Sequence, residues 1–369
     1  MEFSTLGELS ISGKGSYGIA ASAVPYSKEL YNYLRITDIT DDGRIKFSGL
    51  MSVDNVNAEK YLLQPNDIVF ARTGGSTGRN YFYDGHDGEF VYAGFLIKFS
   101  IDPQKVNPKF IKYYCQSKDY KEWVSSYNTG STRGNINAQT YAGMPVPMLP
   151  RKQQDGMVSV LESIDAKIEE NDHINENLAD QAQAIYQQFF LIEADPNWPL
   201  GHLSDLINVK YGKDHKKIAD GVYPVYGSGG IMRYVERPLY EKESVLIPRK
   251  GTLNNVIYVN QPFWSVDTMF YTEMKRTNVA KFVYHFVKSK DLASMNAGSA
   301  VPSMTTAILN ALELRIPSAE ALLQFENSVA PMYEMMKNNK DQSRKLTELR
   351  DALLPKLMSG EIDVSTIDL

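Results

Sequence analysis

The sequence predicts an α+β protein with two similar α/β globular domains, each followed by a long helix. The two helices are expected to form an antiparallel coiled coil that relates the halves by a pseudo-twofold axis. Apolar residues at alternating spacings of four and three run from Met157 to Phe189, and the pattern recurs 168 residues later, from Phe325 to Leu357. This spacing has the 3.5-residue period of a coiled coil. Its repetition after two regions that lack it indicates a duplicated globule-helix plan.

The domains predicted from these boundaries are residues 1–150, a central helix at 151–195, residues 196–317, and a C-terminal helix at 318–369. In the first globular domain we expect strands at 67–71, 80–83 and 90–92, and a helix capped by Asn107 that runs to about Tyr127. The second repeats this order, with strands at 244–248 and 256–259 and a helix from Thr277 or Asn278 to about Leu292. A strand ending at Pro147 or Pro317 closes each domain.

Both apolar seams become polar at their centre. Antiparallel pairing would place Asn171 opposite Ser343 and Asn175 opposite Asn339, and such buried polar layers fix the register of a coiled coil at a cost in stability. Parallel pairing would align the same layers. Three further features break the second seam. Pro331 is expected to kink or interrupt the helix, Pro355 to mark its fraying end, and Arg350 to leave the seam or pair with Asp165.

The net charge of −5 hides an uneven distribution. Residues 1–150 carry 15 basic and 15 acidic groups, whereas residues 196–317 carry 15 and 10, and the excess acid lies on the two helices. A local basic face therefore remains possible despite the acidic total. The single cysteine, Cys115, excludes a disulfide framework. The sequence contains no signal peptide and no span of apolar residues long enough for a membrane, so a cytoplasmic location is expected.

No catalytic constellation is recognisable. Gly13–Gly18 fits a dinucleotide-binding pattern but is not expected to precede a helix, and Gly74–Gly78 fits a nucleophile elbow but is followed by a predicted strand. Both are interpreted as loops. The five histidines lack metal-ligand spacing, and the phosphate-binding loop and the tetrad of amino-methylating enzymes are absent. The sequence therefore favours a recognition or assembly protein that binds no metal.

Basic and amide side chains in loops are the candidate DNA contacts. Arginine reads guanine edges, asparagine reads adenine, and lysine neutralises phosphate. In the first domain the candidates are Arg72, Thr73, Ser76, Thr77, Arg79, Ser131, Thr132, Arg133, Asn135 and Asn137. In the second they are Lys210, Tyr211, Lys213, His215, Lys216, Lys217, Arg249, Lys250, Thr252, Asn254 and Asn255. Arg72 and Arg249 follow equivalent predicted strands. Because duplex DNA has local dyads, a DNA partner also favours antiparallel helices.

The chain resembles the specificity subunit of type I restriction-modification systems over essentially its whole length. The resemblance is most specific in the segments 353–362 and 223–231, and in the order globule, helix, globule, helix. It implies two target-recognition domains that each read half of a bipartite double-stranded DNA site, with the coiled coil setting the gap between halves. It also implies modification (methyltransferase) and restriction (motor-nuclease) subunits as partners. These would use S-adenosylmethionine, ATP and Mg²⁺, while this chain would bind no cofactor and catalyse nothing.

Two alternatives remain open. In the first, the globular domains bind proteins and the chain is an assembly scaffold without direct DNA readout, which the neutral first domain supports. In the second, the chain is an enzyme that uses one of the two glycine motifs. Loss of DNA binding on changing Arg72 or Arg249 would oppose the first, and absence of DNA methylation by the chain alone would oppose the second.

Overall fold

The computed structural model describes residues 2–127, 134–295 and 303–365. It divides into two compact units. Unit 1 comprises Met1–Glu170 and Gln342–Leu369, and unit 2 comprises Asn171–Asp341. Because each boundary falls within a long helix, each unit contains one globular region and a part of both helices.

Unit 1 contains two four-stranded sheets, of order β2-β9-β6-β7 and β3-β5-β4-β8, and the two-stranded sheet β1-β10. Its strands are β1 (Glu2–Thr5), β2 (Ser16–Tyr17), β3 (Ala23–Val24), β4 (Tyr31–Leu34), β5 (Met51–Val53), β6 (Asp67–Ala71), β7 (Asn80–Tyr83), β8 (Phe90–Tyr92), β9 (Leu96–Ser100) and β10 (Pro145–Met148). Its short helices are α1 (Pro108–Tyr114), α2 (Lys118–Ser126) and α3 (Ala138–Ala142). Every residue of β6 is buried, as its run of apolar residues predicts.

The helix predicted from Asn107 to about Tyr127 is two helices. Asn107 is the expected cap, and its side chain accepts a hydrogen bond from the Lys109 backbone nitrogen. The first helix ends at Tyr114, however, and Ser117 caps the second by accepting a hydrogen bond from the Tyr120 backbone nitrogen at 3.3 Å. A serine hydroxyl can accept a hydrogen bond from a nearby backbone N–H group in place of a helical carbonyl. This competition explains why one helix ends before Ser117 and another begins after it.

Unit 2 repeats this plan with a four-stranded sheet β12-β18-β15-β16, a three-stranded sheet β14-β13-β17 and a pair β11-β19. Its strands are β11 (Leu200–His202), β12 (Ile207–Tyr211), β13 (Asp220–Gly227), β14 (Gly230–Val235), β15 (Ser244–Pro248), β16 (Ile257–Val259), β17 (Trp264–Ser265), β18 (Met269–Met274) and β19 (Glu313–Arg315). Strand β13 pairs in parallel with β17, as β4 does with β8. The four-stranded sheet of unit 2 therefore corresponds strand by strand to one sheet of unit 1: β12 to β2, β18 to β9, β15 to β6 and β16 to β7.

The short helices of unit 2 are α5 (Ala280–Lys288) and α6 (Thr306–Asn310). The prediction that Thr277 or Asn278 caps α5 is wrong. The residue that directly precedes the helix is Val279. Asn278 adopts a left-handed backbone conformation with φ of 58°. Asparagine tolerates this region better than most residues, so Asn278 forms the turn before the helix.

The two long helices are α4 (Arg151–Gln187), which continues as a π-helical turn at Gln188–Ile192, and α7 (Ala319–Met358). The predicted interruption of α7 at Pro331 is wrong, since the helix is continuous through this residue. Pro331 is exposed, whereas Phe325 and Val329 on the preceding turns are fully buried. Tertiary packing of this face offsets the hydrogen bond that proline cannot donate.

The helices pack antiparallel within each unit. In unit 1, Gly156 lies against Val364 while Asp165 pairs with Arg350. In unit 2, the Asn339 side-chain nitrogen donates to the Asn175 side-chain oxygen at 3.0 Å, and the rings of Tyr186 and Phe325 lie 6.2 Å apart. The predicted pairing of Asn175 with Asn339 is thus confirmed, and Asn171 is buried, with its side-chain nitrogen 3.5 Å from the Asn339 carbonyl oxygen. The pairing of Asn171 with Ser343 stays a prediction.

In each unit, a buried polar side chain of the globular region hydrogen-bonds the long helices. In unit 1 the Tyr113 hydroxyl of α1 donates to Asp165 of α4 at 2.9 Å. In unit 2 the His285 ring of α5 hydrogen-bonds Gln183 of α4 at 2.8 Å and Tyr333 of α7 at 2.9 Å. These contacts hold each globular region in a defined orientation on its part of the coil.

Candidate nucleic-acid interface

Arg72 directly follows the buried strand β6, and the fold fixes its backbone on both sides. Its nitrogen donates to the Phe95 carbonyl at 3.1 Å, and its carbonyl accepts from the Ile136 nitrogen at 2.9 Å. Its guanidinium lies 5.0 Å from the ring centroid of Tyr17, a cation–π distance. The Nε atom is buried and has no hydrogen-bond partner within the part of the chain that the structure describes. The ring therefore orients the guanidinium.

Arg249 occupies the same position in unit 2, directly after β15. Its nitrogen donates to the Thr268 carbonyl at 2.9 Å, and its carbonyl accepts from the Met304 nitrogen at 2.9 Å. Its guanidinium lies 5.4 Å from the ring centroid of Tyr211. One terminal nitrogen also approaches the Asp267 carbonyl at 3.3 Å, a long hydrogen bond.

The two arginine-tyrosine pairs correspond in every topological respect. Tyr17 is the last residue of β2 and Tyr211 the last residue of β12, and these strands hold the same edge position in matching sheets. Both rings are exposed, by 42% and 53%. Backbone partners, ring and guanidinium thus recur at equivalent places, so the fold builds the same cationic feature twice.

A glycine follows each tyrosine, and the fold requires it there. A Cβ on Gly18 would lie 2.3 Å from the carbonyl oxygens of Tyr92 and Ala93. A Cβ on Gly212 would lie 2.0 Å from the carbonyl oxygen of Val266. Both distances are far inside van der Waals contact. In each unit the chain can therefore approach these carbonyl groups only because the residue after the tyrosine is glycine.

The other unit 1 candidates fall in two segments that the fold brings together. Thr73 forms an isolated β-bridge with Asn135. The Thr77 hydroxyl lies within hydrogen-bond distance of the carbonyls of Gly74 and Gly134, at 2.8 Å and 3.1 Å. Asn137 caps α3 by accepting from the Thr140 nitrogen. Arg133, with Ser131 and Thr132, lies outside the described residues.

Two unit 1 candidates are held inside the fold. Ser76 is buried, in a 3-10 turn at Gly74–Ser76. The Arg79 guanidinium forms an ion pair with Asp41 at 2.6 Å and donates to the Ile39 carbonyl at 3.2 Å. These contacts leave Arg79 less free than Arg72 to meet a ligand. The interpretation of Gly74–Gly78 as a link between strands holds, since β7 and no α-helix follows it.

In unit 2 the loop after Arg249 has a similar arrangement. Lys250 forms an isolated β-bridge with Ser303, the counterpart of the Thr73–Asn135 bridge. Thr252 is exposed. The Asn254 side chain donates to Asp291 at 3.2 Å and accepts from the Ala293 nitrogen at 3.0 Å. The hydrogen bond from Asn254 is the main cause that lowers the pKa of Asp291, so this asparagine is engaged in the fold.

The basic residues around β12 are mostly exposed. Lys210 approaches Glu273 at 3.5 Å, which neutralises part of its charge. Lys213, Lys216 and Lys217 are exposed on the segment after Tyr211. The Lys216 backbone nitrogen donates to the Asp214 carboxylate and lowers its pKa. His215 has a buried Nδ1 atom without a hydrogen-bond partner among the residues the structure describes.

Tyr17 is a candidate interface residue that the sequence pattern alone does not single out. It lies inside the Gly13–Gly18 pattern, which contains strand β2 and does not lead into a helix, as the sequence predicts. A usable signal exists in the sequence, because Tyr17-Gly18 and Tyr211-Gly212 repeat the same dipeptide before the two predicted central strands. Of the two tyrosines, only Tyr211 is among the candidates predicted from the sequence.

Within residues 2–127, 134–295 and 303–365, no group of three or more histidine, cysteine or acidic side chains could hold a metal ion. None of the helices described there is long and apolar enough to cross a membrane.

Comparison with known proteins identifies the family. The profile described as the type I restriction modification DNA specificity domain matches residues 1–179 and 196–328. The MjaIX specificity subunit of a type I restriction enzyme from Methanocaldococcus jannaschii is 22% identical over 303 residues, covering 70% of each protein. The EcoprrI specificity subunit from Escherichia coli is 23% identical over 310 residues, covering 78% of this chain and 76% of that protein.

A solved structure shares the fold. The crystal structure of a type I restriction-modification S subunit from Mycoplasma genitalium aligns with a TM-score of 0.56 at 20% identity, covering 96% of this chain and 95% of that one. The family profile matches both globular regions and the first part of the long helix that follows each of them. The chain therefore belongs to the family of type I restriction-modification DNA specificity subunits.

Proposed function

We propose that this chain recognises a bipartite site in double-stranded DNA, with the globular region of each unit contacting one half. The observation that carries this proposal is the recurrence of an arginine stacked on an exposed tyrosine at equivalent positions of the two units. A guanidinium held by a ring loses less conformational freedom on binding, and its fork of donors fits a phosphate or the major-groove edge of guanine.

The charge distribution supports unit 2 as a DNA-binding surface. Residues 196–317 carry a net charge of +5, from 15 basic and 10 acidic residues. Residues 1–150 carry equal numbers of each, 15 and 15. In unit 1 the cationic face is therefore local, at Arg72 and its neighbours, and we expect phosphate contacts to be fewer there than in unit 2.

In the proposed complex this chain is non-catalytic and acts as the sequence reader and spacer. Adenine-methylating modification subunits and motor-nuclease subunits would bind to it, and S-adenosylmethionine, ATP and Mg²⁺ would be used by those partners. The long helices α4 and α7 would maintain the number of unread base pairs between the half-sites. Membership in the specificity-subunit family supports this assignment.

Selection from a pool of random duplex DNA by the full-length chain, alone or with its co-expressed methyltransferase subunits, tests the proposal. We expect two short enriched segments separated by a constant number of unselected base pairs. Arg72→Ala should weaken enrichment of one segment and Arg249→Ala that of the other. Arg151→Ala, which removes an exposed arginine far along the chain from both loops, is the control.

The neutral charge of residues 1–150 favours one alternative, an assembly scaffold that does not read DNA itself. If neither Arg72→Ala nor Arg249→Ala alters DNA binding while association with the methyltransferase subunits is intact, the scaffold function is the better description.

A further inference from the structure

A β-hairpin lies beside the Arg249 loop in unit 2, and its tip carries two exposed apolar side chains, Ile231 and Met232. Strands β13 and β14 are joined by Ser228 and Gly229, and Gly230 adopts a φ of +109°, which favours glycine. The Ser228 carbonyl accepts a hydrogen bond from the Asn255 side chain at 2.7 Å. A Cβ on Gly251 would lie 2.7 Å from the Ser228 hydroxyl. The hairpin tip is therefore fixed against the loop that begins at Arg249.

A β-bulge determines which side chains the tip exposes. Tyr226 pairs with Ile231, and its neighbour Val225 pairs with Arg233, so Met232 is an extra residue in β14. In a regular strand, adjacent residues point to opposite faces. Here both members of the adjacent pair are exposed, Ile231 by 49% and Met232 by 61%. Bulges redirect side chains in this way beside functional sites.

The corresponding place in unit 1 has a different structure. Strands β4 and β5 are joined by the 16 residues from 35 to 50, not by two. This connection is also tied to the loop after the central strand, because Arg79 binds Asp41 and the Ile39 carbonyl. The arginine-tyrosine pairs are thus alike in the two units, whereas the element beside each pair differs in length and composition. This arrangement is expected if the arginine-tyrosine pair makes the same kind of contact in both units and the element beside it distinguishes the two half-sites.

We propose that the hairpin tip Ser228–Met232 contacts the DNA half-site bound by unit 2, with Ile231 and Met232 making apolar contacts to base pairs. This inference rests on the proposed DNA-binding function. Large apolar side chains recognise the thymine methyl group or insert between base steps, whereas Arg249 and Lys250 beside them would neutralise phosphate. An apolar patch bordered by cationic side chains matches a thymine methyl group or an opened base step beside the anionic backbone of duplex DNA better than it matches an acidic or neutral protein surface.

The test compares Ile231→Ala/Met232→Ala with Val222→Ala in the random-duplex selection. Val222 is 77% exposed at the opposite end of β13, so it controls for loss of exposed apolar surface on the same hairpin. We expect the double variant to bind the wild-type site about tenfold more weakly, the size typical of lost base contacts. It should also change the bases enriched in the segment that depends on Arg249 and leave the other segment unchanged. Val222→Ala should select the wild-type sequence.

Each outcome has a separate meaning. An unchanged preference in the double variant, when Arg249→Ala does alter it, overturns the hairpin contact and leaves the proposed function standing. The hairpin contact with DNA is also overturned if the double variant keeps its DNA preference and only fails to bind the methyltransferase subunits. In that case the tip is a protein-binding surface, and the proposed function still stands. If the wild-type chain selects no sequence, the proposed function fails and this inference fails with it. Both side chains are exposed, so far-ultraviolet circular dichroism and thermal midpoint should match wild type.

Discussion

Arg350 of α7 pairs with Asp165 of α4 in unit 1, with the two side chains 2.9 Å apart. Arg350 is 7% exposed and also bonds Asp351 at 3.0 Å. Asp165 in turn accepts the Tyr113 hydroxyl of α1. An arginine at an apolar seam position is thus compensated by a carboxylate on the facing helix, and the same carboxylate anchors the globular region of unit 1.

Arg350→Ala should lower the free energy of unfolding by about 3 kcal/mol, because it leaves Asp165 partly buried without its main cationic partner. Lys118→Ala, at an exposed pair with Glu122 on α2, should cost no more than about 0.5 kcal/mol. Urea unfolding of the full chain measures both. Equal effects of the two substitutions would contradict a structural role for the Arg350–Asp165 pair.

Asn175 and Asn339 should behave as a coupled pair. Asn175→Leu alone removes the acceptor of the Asn339 side chain and should destabilise unit 2 by about 1 to 3 kcal/mol. Asn175→Leu/Asn339→Leu replaces the polar layer with an apolar one and should be more stable than either single variant. A thermal midpoint of the double variant below those of both single variants would show that this layer is not buried between the helices.

His285 should make the stability of unit 2 depend on pH. Burial lowers its pKa from 6.5 to about 4, so the native state holds the neutral ring while the unfolded state binds a proton below pH 6.5. The stabilisation is complete above that pH and is lost progressively as pH falls to about 4, by about 3 kcal/mol in total.

His285→Gln keeps hydrogen-bonding groups but cannot titrate, so its unfolding free energy should fall less between pH 7 and pH 4. Val56→Ala, at an exposed residue without a titratable group, should keep the wild-type profile. Parallel profiles for His285→Gln and wild type would rule out this contribution.

Gly18 should be intolerant of any side chain. Gly18→Ala places a Cβ 2.3 Å from two backbone carbonyl oxygens, so β2 must move and Tyr17 with it. We expect a loss of more than about 2 kcal/mol, as for other overpacked sites. Gly75→Ala has open space around the new Cβ and should change stability by less than about 1 kcal/mol. A stable Gly18→Ala protein would show that β2 is not fixed by this approach.

Salt dependence should separate phosphate contacts from base contacts. Arg249→Ala should reduce the slope of log affinity against log salt by about one if the guanidinium neutralises a phosphate. Ile231→Ala/Met232→Ala should weaken binding without a change in slope, because no charge is removed. Titration of a selected duplex by fluorescence anisotropy between 50 and 200 mM salt measures the slopes. A slope change in the apolar variant would indicate that the hairpin tip acts by positioning Arg249.

The prediction of two similar domains and two long helices succeeded because it rests on periodicity. The seam positions Met157, Leu161, Phe325 and Val329 are fully buried, as a sustained 3.5-residue apolar repeat predicts. Of the two outcomes predicted for Arg350, pairing with Asp165 is confirmed, because the antiparallel register brings Asp165 near. Errors occurred where local signals compete, as at Ser117, which ends one helix and begins another, and at Pro331, which packing overrides.

The sequence by itself therefore determined the duplicated plan, the coiled-coil seam and the loops that follow β6 and β15, because each leaves a local or periodic trace. Only the tertiary structure decided that Tyr17 lies under Arg72 as Tyr211 lies under Arg249, and that Ser228 is fixed beside Gly251. Those contacts join residues that are far apart in sequence through sheet pairing and a β-bulge. Sheet register depends on which strands meet, and no single segment of the chain specifies that.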